Sequence, residues 1–246
     1  MDDHGPLQQF LIKKIIPWQF MGVDLSFTNA SLFMCIATFL PIALFIFSRR
    51  QKGLIPSYYQ SILEISYRFV ADMLQETSEE KGLPFFPLVF SLFMFVLFGN
   101  MLGMIPYGFT FTSHLAVTFG LASLIFLIIT FIGIIKHRGK FFALFVPPGV
   151  PWLLMPIMIP IELLSYLSRP VSLAVRLFAN MMAGHTMLKV FGSFTVVLGL
   201  LGIAPLAINV ALVGFEFLVS FLQAYVFTIL TCIYLHDALY LHGKGH

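Results

Sequence analysis

Hydrophobic positions in this chain come in long blocks. Leu25–Ser48, Pro84–Ile105 and Leu115–Ile135 are apolar almost throughout, and each is long enough for a hydrocarbon core of ~30 Å. Two more blocks, 153–191 and 199–236, would each reach ~57 Å as a helix at 1.5 Å per residue. A perpendicular span needs only ~20 residues, so these two predict a strongly tilted helical hairpin. Gly192–Gly202, small and uncharged at its centre, is expected to turn it. Pro41 is expected to kink the first span, and Pro156 and Pro160 the start of the first long block. Residues 57–80 follow another rule. Ile62, Ile65, Phe69, Val70 and Met73 recur at helical spacing, with Glu64, Arg68, Asp72, Gln75 and Glu76 between them. That is an amphipathic helix, too polar to span alone. Leu7–Phe20 carries Lys13 and Lys14 and reads as an interfacial part of a mixed 1–27 segment.

Composition agrees with this pattern. The chain is 59% hydrophobic and 10% charged, where a soluble domain has about 25% charged residues. The expected fold is an all-α membrane protein, a single domain over 1–246. It has five transmembrane helices plus one amphipathic helix, the last two spans forming the long tilted hairpin of 153–236. A net charge of +3 with no cationic stripe gives no footprint for nucleic acid. Cys35 and Cys232 lie in apolar runs and read as small core residues rather than metal ligands or a disulfide. No secretory signal pattern opens the chain.

Lysine and arginine set the topology. Arg49, Arg50, Lys52, Arg68, Lys81, Lys136, Arg138, Lys140 and Lys244 fall in segments on one side, the inner one. Only Lys13 and Lys14 fall in the N-terminal segment opposite. The expected orientation has the N-terminus outside and the C-terminus inside. In the second span, Gly99 and Gly103 form a small-xxx-small pair of the kind that brings helices close. Asn100 beside them either bridges helices or lines a path.

The remaining polar residues carry the chemistry. Arg176 keeps its charge in any protein environment, and a charge near a bilayer centre costs at least ~2.5–3.5 kcal/mol. It therefore needs a partner or a wet path. Between Lys81 and His236 the only acids are Glu162 and Glu216. A carboxylate buried alone is costly as an anion and tends to hold a proton; the bland alternative is an ion pair with Arg169 or Arg176. At ~100° per residue, Glu162, Arg169, Ser172, Arg176 and Asn180 share one stripe of the first long helix, and His185 faces away from it. On the second long helix Asn209, Glu216 and Gln223 share a face, with Ser220 between the last two. In depth, Glu162 is toward the inner side, Arg176 central, and His185 and Glu216 toward the outer side. A permanent cation at the midpoint interrupts a continuous proton wire and suits two half-paths kept apart.

These residues also carry a resemblance. Ser168-Arg169-Pro170-Val171-Ser172 and Arg176-Leu177-Phe178-Ala179-Asn180-Met181-Met182-Ala183-Gly184-His185 resemble the signature helix of subunit a of F-type ATP synthases. Glu216, Gln223-Ala224-Tyr225-Val226-Phe227 and Tyr234-Leu235-His236-Asp237 resemble that family's last helix. The likeness is strong over about 84–240 and looser before it. It implies a stator beside a rotating ring of c subunits, with Arg176 facing the ring carboxylates. It assigns His185 and Glu216 to an outer half-channel and Glu162 to an inner one. Asn180, Gln223, Ser172 and Ser220 support the path. The implied partners are the c ring, the b subunits of the peripheral stalk, the remaining synthase subunits and membrane lipid. The implied location is a bacterial or mitochondrial inner membrane. One branch of the family places an acid where this chain has His185 and a histidine where it has Glu216; the swap keeps an acid–imidazole pair.

No cofactor or metal is expected, and no Gly-rich phosphate loop marks a nucleotide site, so ATP chemistry would belong to partners. A secondary transporter, with polar groups at the midplane, is the competing class; its usual internal repeats are missing from the sequence. An intramembrane hydrolase would need a His-Glu-x-x-His or Gly-x-Ser-x-Gly pattern, and neither occurs.

Overall fold

The computed structural model describes residues 10–20, 23–24, 26–48, 58–105, 108–138 and 154–240. Six α-helices dominate the described residues: α1 Asn29–Ser48, α2 Tyr58–Gly82, α3 Phe86–Gly103, α4 Leu115–His137, α5 Met155–Val197 and α6 Ile203–Leu239. All but α2 lie in stretches long and apolar enough to cross a membrane. The proline-rich connector 147–151 lies outside the described residues.

The N-terminal segment is mostly extended where it is described. Its described part forms two small antiparallel ladders, β1 Lys14–Ile16 with β4 Phe27–Thr28 and β2 Gln19–Phe20 with β3 Val23–Asp24. Pro17 interrupts any helix there, and the β-branched Ile15 and Ile16 favour extended backbone. The ladder ends directly on α1. Thr28 Oγ1 accepts from Ser31 N at 3.3 Å, an N-terminal cap. Asn29 ties the helix back to the strand, its Nδ2 donating to Leu11 O and its Oδ1 accepting from Lys13 N, both at 3.1 Å. The helix then runs unbroken through Pro41.

α2 is the amphipathic helix expected from 57–80. Leu63, Val70, Met73 and Leu74 are buried on one side, while Glu64 and Arg68 form an exposed ion pair on the other. Its far end is pinned to α6 by Ser78 Oγ donating to Cys232 O at 3.0 Å. Cys232 is buried in the core, but Cys35 is exposed on α1 and corrects the core reading of that residue. α1 is nearly all apolar, so its sequence does not mark which side packs inward.

The largest core lies between α2, α3, α4, α5 and α6, around Phe93, Leu177, Met181, Phe227 and Leu235. α5 and α6, of 43 and 37 residues, would extend ~64 and ~55 Å. Pro156 falls in the first turn of α5, where its missing N–H costs nothing. The helix also continues through Pro160 and Pro170.

The turn between α5 and α6 is tighter than Gly192–Gly202. α5 continues through Gly192 to Val197, and only Leu198–Gly202 turns. Ser193 and Thr195 sit inside the helix, their hydroxyls turned back to donate to Val190 O and Phe191 O. The break comes at Gly199, the one described glycine with positive φ, at 56°.

Gly99 and Gly103 serve another purpose than a helix–helix crossing. A Cβ at Gly99 would strike the Phe111 ring and one at Gly103 would strike the Thr110 side chain. Both glycines thus receive the connection that follows α3, and its single 3₁₀ turn, Phe111–Ser113, is fully buried.

Candidate proton-path site

α5 carries polar groups on two opposite sides. Ser172, Arg176 and Asn180 lie on its exposed side. His185, nine residues past Arg176, is buried at 8% exposure. Among the described residues, no hydrogen bond or ion pair involves Arg176. A fixed cation thus stands on an open face whose neighbours Ala179 and Ala183 are also exposed. Small side chains there leave room for another molecule's surface to approach the guanidinium.

The buried side is built by α6 and the 108–114 connection. Glu216 is 3% exposed, and its Oε1 lies 3.4 Å from His185 Nδ1. Both Glu216 oxygens lack a hydrogen-bond partner among the described residues. The other ring nitrogen, His185 Nε2, shares a 2.9 Å hydrogen bond with Thr110 Oγ1. Gly184 makes the acid–imidazole approach feasible, because a Cβ there would sit 2.6 Å from Glu216 Oε1.

A row of buried polar groups leads from this pair along α6. Ser220 and Gln223 are buried, Asn100 Nδ2 donates to Ser220 O at 3.3 Å, and Asn180 Nδ2 donates to Gln223 Oε1 at 2.8 Å. The last bond links the buried face of α6 to the open face of α5 that holds Arg176. Asn100 Oδ1, Ser220 Oγ and Gln223 Nε2 are buried without partners among the described residues, and such groups ordinarily find water or another partner.

A recess of about 720 Å³ reaches His185, with Lys13, Asn29, Lys189 and Asn209 among its lining residues. It opens onto His185 between the N-terminal segment, the end of α3 and the facing parts of α5 and α6.

Toward the opposite end of the long helices, Glu162 is half-buried. Its expected rival partner is taken: Arg169 Nη1 pairs with Asp237 Oδ2 at 2.9 Å, and the Tyr166 and Tyr234 rings flank the guanidinium at 5.4 and 5.1 Å. Glu162 makes no ion pair among the described residues, and Glu216 meets His185 rather than an arginine.

The structure therefore groups His185, Glu216, Ser220, Gln223 and Asn180, leaves Ser172 and Arg176 on the open face, and keeps Glu162 apart. Thr110 was not singled out from the sequence. Its signal was the polar run Thr110-Phe111-Thr112-Ser113-His114 between two apolar spans.

Residues 31–236 match the family described as ATP synthase A chain. The chain is 56% identical to ATP synthase subunit a of Pelagibacter ubique (strain HTCC1062), covering 97% of this chain and 98% of that protein. It is 54% identical to ATP synthase subunit a of Rhizobium rhizogenes (strain K84 / ATCC BAA-868), with 99% of each covered. To that of Chelativorans sp. (strain BNC1) it is 54% identical, with 98% of each covered.

Proposed function

The chain belongs to the ATP synthase A chain family, and from that premise we propose that it is the stator against which a ring of c subunits turns. It is an integral, multi-pass inner-membrane protein and a proton-translocating subunit of the synthase's membrane sector. The finer reading assigns two offset half-paths. On the outer one, protons reach His185 and Glu216 from the recess and pass along Ser220, Gln223 and Asn180 to the ring. On the inner one, Glu162 relays protons between the ring and the inner water. Arg176, with Ser172 beside it, meets the ring carboxylates on the open face of α5 and keeps the two paths apart. The whole chain acts as one membrane domain, and other synthase subunits, including the b subunits, hold it while ATP chemistry occurs elsewhere.

The observation that carries this reading is the division of α5 into two polar sides. An arginine is exposed on the side free to meet a partner, and an imidazole–carboxylate pair is buried on the side facing α6. A wire running straight through the protein would not set its permanent cation to one side. The lengths of α5 and α6 fit the same picture, since helices of ~64 and ~55 Å cannot stand upright in a ~30 Å core. Steep inclination lays their polar faces along a ring's flank.

Mild-detergent purification of the chain from its native membrane tests the assignment. A co-purifying ring of small helical hairpins, each with a membrane-buried carboxylate, supports the stator. Recovery of the chain as a self-contained oligomer that transports a solute supports the competing transporter and overturns it.

A further inference from the structure

We propose that Thr110 is a positioning residue of the outer proton path, and that its hydroxyl holds the His185 ring so that Nδ1 alone exchanges protons with Glu216. This rests on the stator reading above. The argument begins with an imidazole's two nitrogens. His185 Nδ1 is 3.4 Å from Glu216 Oε1, and Nε2 is 2.9 Å from Thr110 Oγ1. Thr110 is 4% exposed, His185 8% and Glu216 3%, so all three are buried, with His185 at the edge of the recess. A ring held at one nitrogen presents the other in a fixed direction.

A hydroxyl suits this task because it both donates and accepts. With Nδ1 unprotonated, Nε2–H donates to Thr110 Oγ1. The carboxylic acid of Glu216 can then pass its proton to Nδ1, leaving a carboxylate and an imidazolium whose Nε2–H bond is unchanged. In the reverse step the imidazolium returns the Nδ1 proton to the carboxylate. If the ring instead carries its single proton on Nδ1, the Thr110 hydroxyl donates to Nε2. The ring therefore stays anchored in either tautomer and in the charged form. A carboxylate in place of Thr110 could only accept, and would add a charge beside Glu216.

Thr110 is itself held in place. Gly103 leaves the space that its side chain fills, and Ser113 Oγ donates to Thr110 O at 2.6 Å. The turn Phe111–Ser113 is buried beneath it. The connection between α3 and α4 is thus a third wall of the site and not only a link between spans. The ionisable groups grouped with His185 are Glu216 on α6, Lys189 on α5, and Lys13 from the N-terminal segment, the last two lining the same recess.

The test uses the complete synthase in inverted vesicles, with ATP-driven proton pumping measured as the pH on the outer side of the protein is varied. Thr110→Val keeps the branched shape and removes the hydroxyl; Thr110→Ser keeps the hydroxyl and removes the methyl. With equal amounts of assembled complex, Thr110→Val should pump about fivefold more slowly, the kinetic equivalent of one ordinary hydrogen bond. Its dependence on outer pH should also shift, while Thr110→Ser stays near the parent in both. Normal pumping by Thr110→Val overturns the proposal. So does equal loss in both variants, or loss that only follows the amount of assembled complex. If the parent synthase itself does not pump, the stator reading fails first, and the two failures are distinct.

Discussion

At the scale of single residues, the site depends on which atoms are left unpaired and which are not. Neither Glu216 carboxyl oxygen has a hydrogen-bond partner among the described residues, Oε1 stands 3.4 Å from His185 Nδ1, and Gly184 is what lets it sit there. His114, just before α4, shows the opposite use of burial. Its ring stacks on Phe109 at 5.2 Å and 21°, and its Nε2 is buried without a partner among the described residues. Desolvation holds its pKa below the ordinary 6.5. The unfolded segment therefore binds more protons than the folded one just below pH 6.5, and stability rises with pH through that window. The contribution is complete above about 6.5 and is lost as pH falls toward the lowered value. Hydrogen-exchange protection of residues 108–114 should thus weaken as the pH drops below about 6.5. His114→Gln, which cannot titrate, should lose that dependence; an unchanged pH dependence in the variant would place its origin elsewhere.

At the scale of elements, two contacts fix the long hairpin at its ends. The turn at Leu198–Gly202 closes one end, and the Arg169–Asp237 pair joins α5 to α6 near the other. The pair is only partly exposed, 26% and 21% for the two side chains, so it is not an ordinary surface bridge. Arg169→Gln should destabilise the subunit by about 2 kcal/mol, the range of a hydrogen bond to a charged group. Combining Arg169→Asp with Asp237→Arg should recover part of that loss in a thermal unfolding measurement on detergent-solubilised complex; no recovery would mean the tyrosine contacts, not the pair, hold the ends. Arg169 is engaged by Asp237 and Glu162 has no ion pair among the described residues, so the proposed inner-path role of Glu162 can be tested directly. Glu162→Gln should slow pumping with normal assembly and respond to inner pH more than outer pH. A defect governed by outer pH alone would remove it from the inner path. Both long helices and the amphipathic α2 were legible in the sequence, because apolar block length and helical spacing depend on local composition. The true end of α5 was not. Gly192, Ser193 and Thr195 look like turn residues, yet the backbone needed positive φ only at Gly199. The role of Gly99 and Gly103 was equally hidden, since only the folded chain brings Phe111 and Thr110 against them.

At the scale of the whole molecule, the chain separates an enclosed polar route from an exposed charge. The sequence already placed Arg176 and His185 on opposite sides of one helix, by simple angular spacing. It also placed Glu216, Ser220 and Gln223 along one side of the next. It could not show that the 108–114 connection folds back to reach His185, because Thr110 and His185 are 75 residues apart and no local pattern links them. Nor could it show that Asp237 takes Arg169 away from Glu162. In the proposed reading Arg176 is the divide between two half-paths, on the open face of a helix whose buried side carries His185. The most direct measurement is ATP synthesis driven by an imposed proton gradient, in vesicles containing equal amounts of assembled synthase with Arg176 intact or as Arg176→Ala. Loss of synthesis in the variant is the expected result, and Arg176→Lys, which keeps the charge but not the planar fork, should be severely impaired as well. Coupled synthesis at the parental rate in Arg176→Ala would contradict the account.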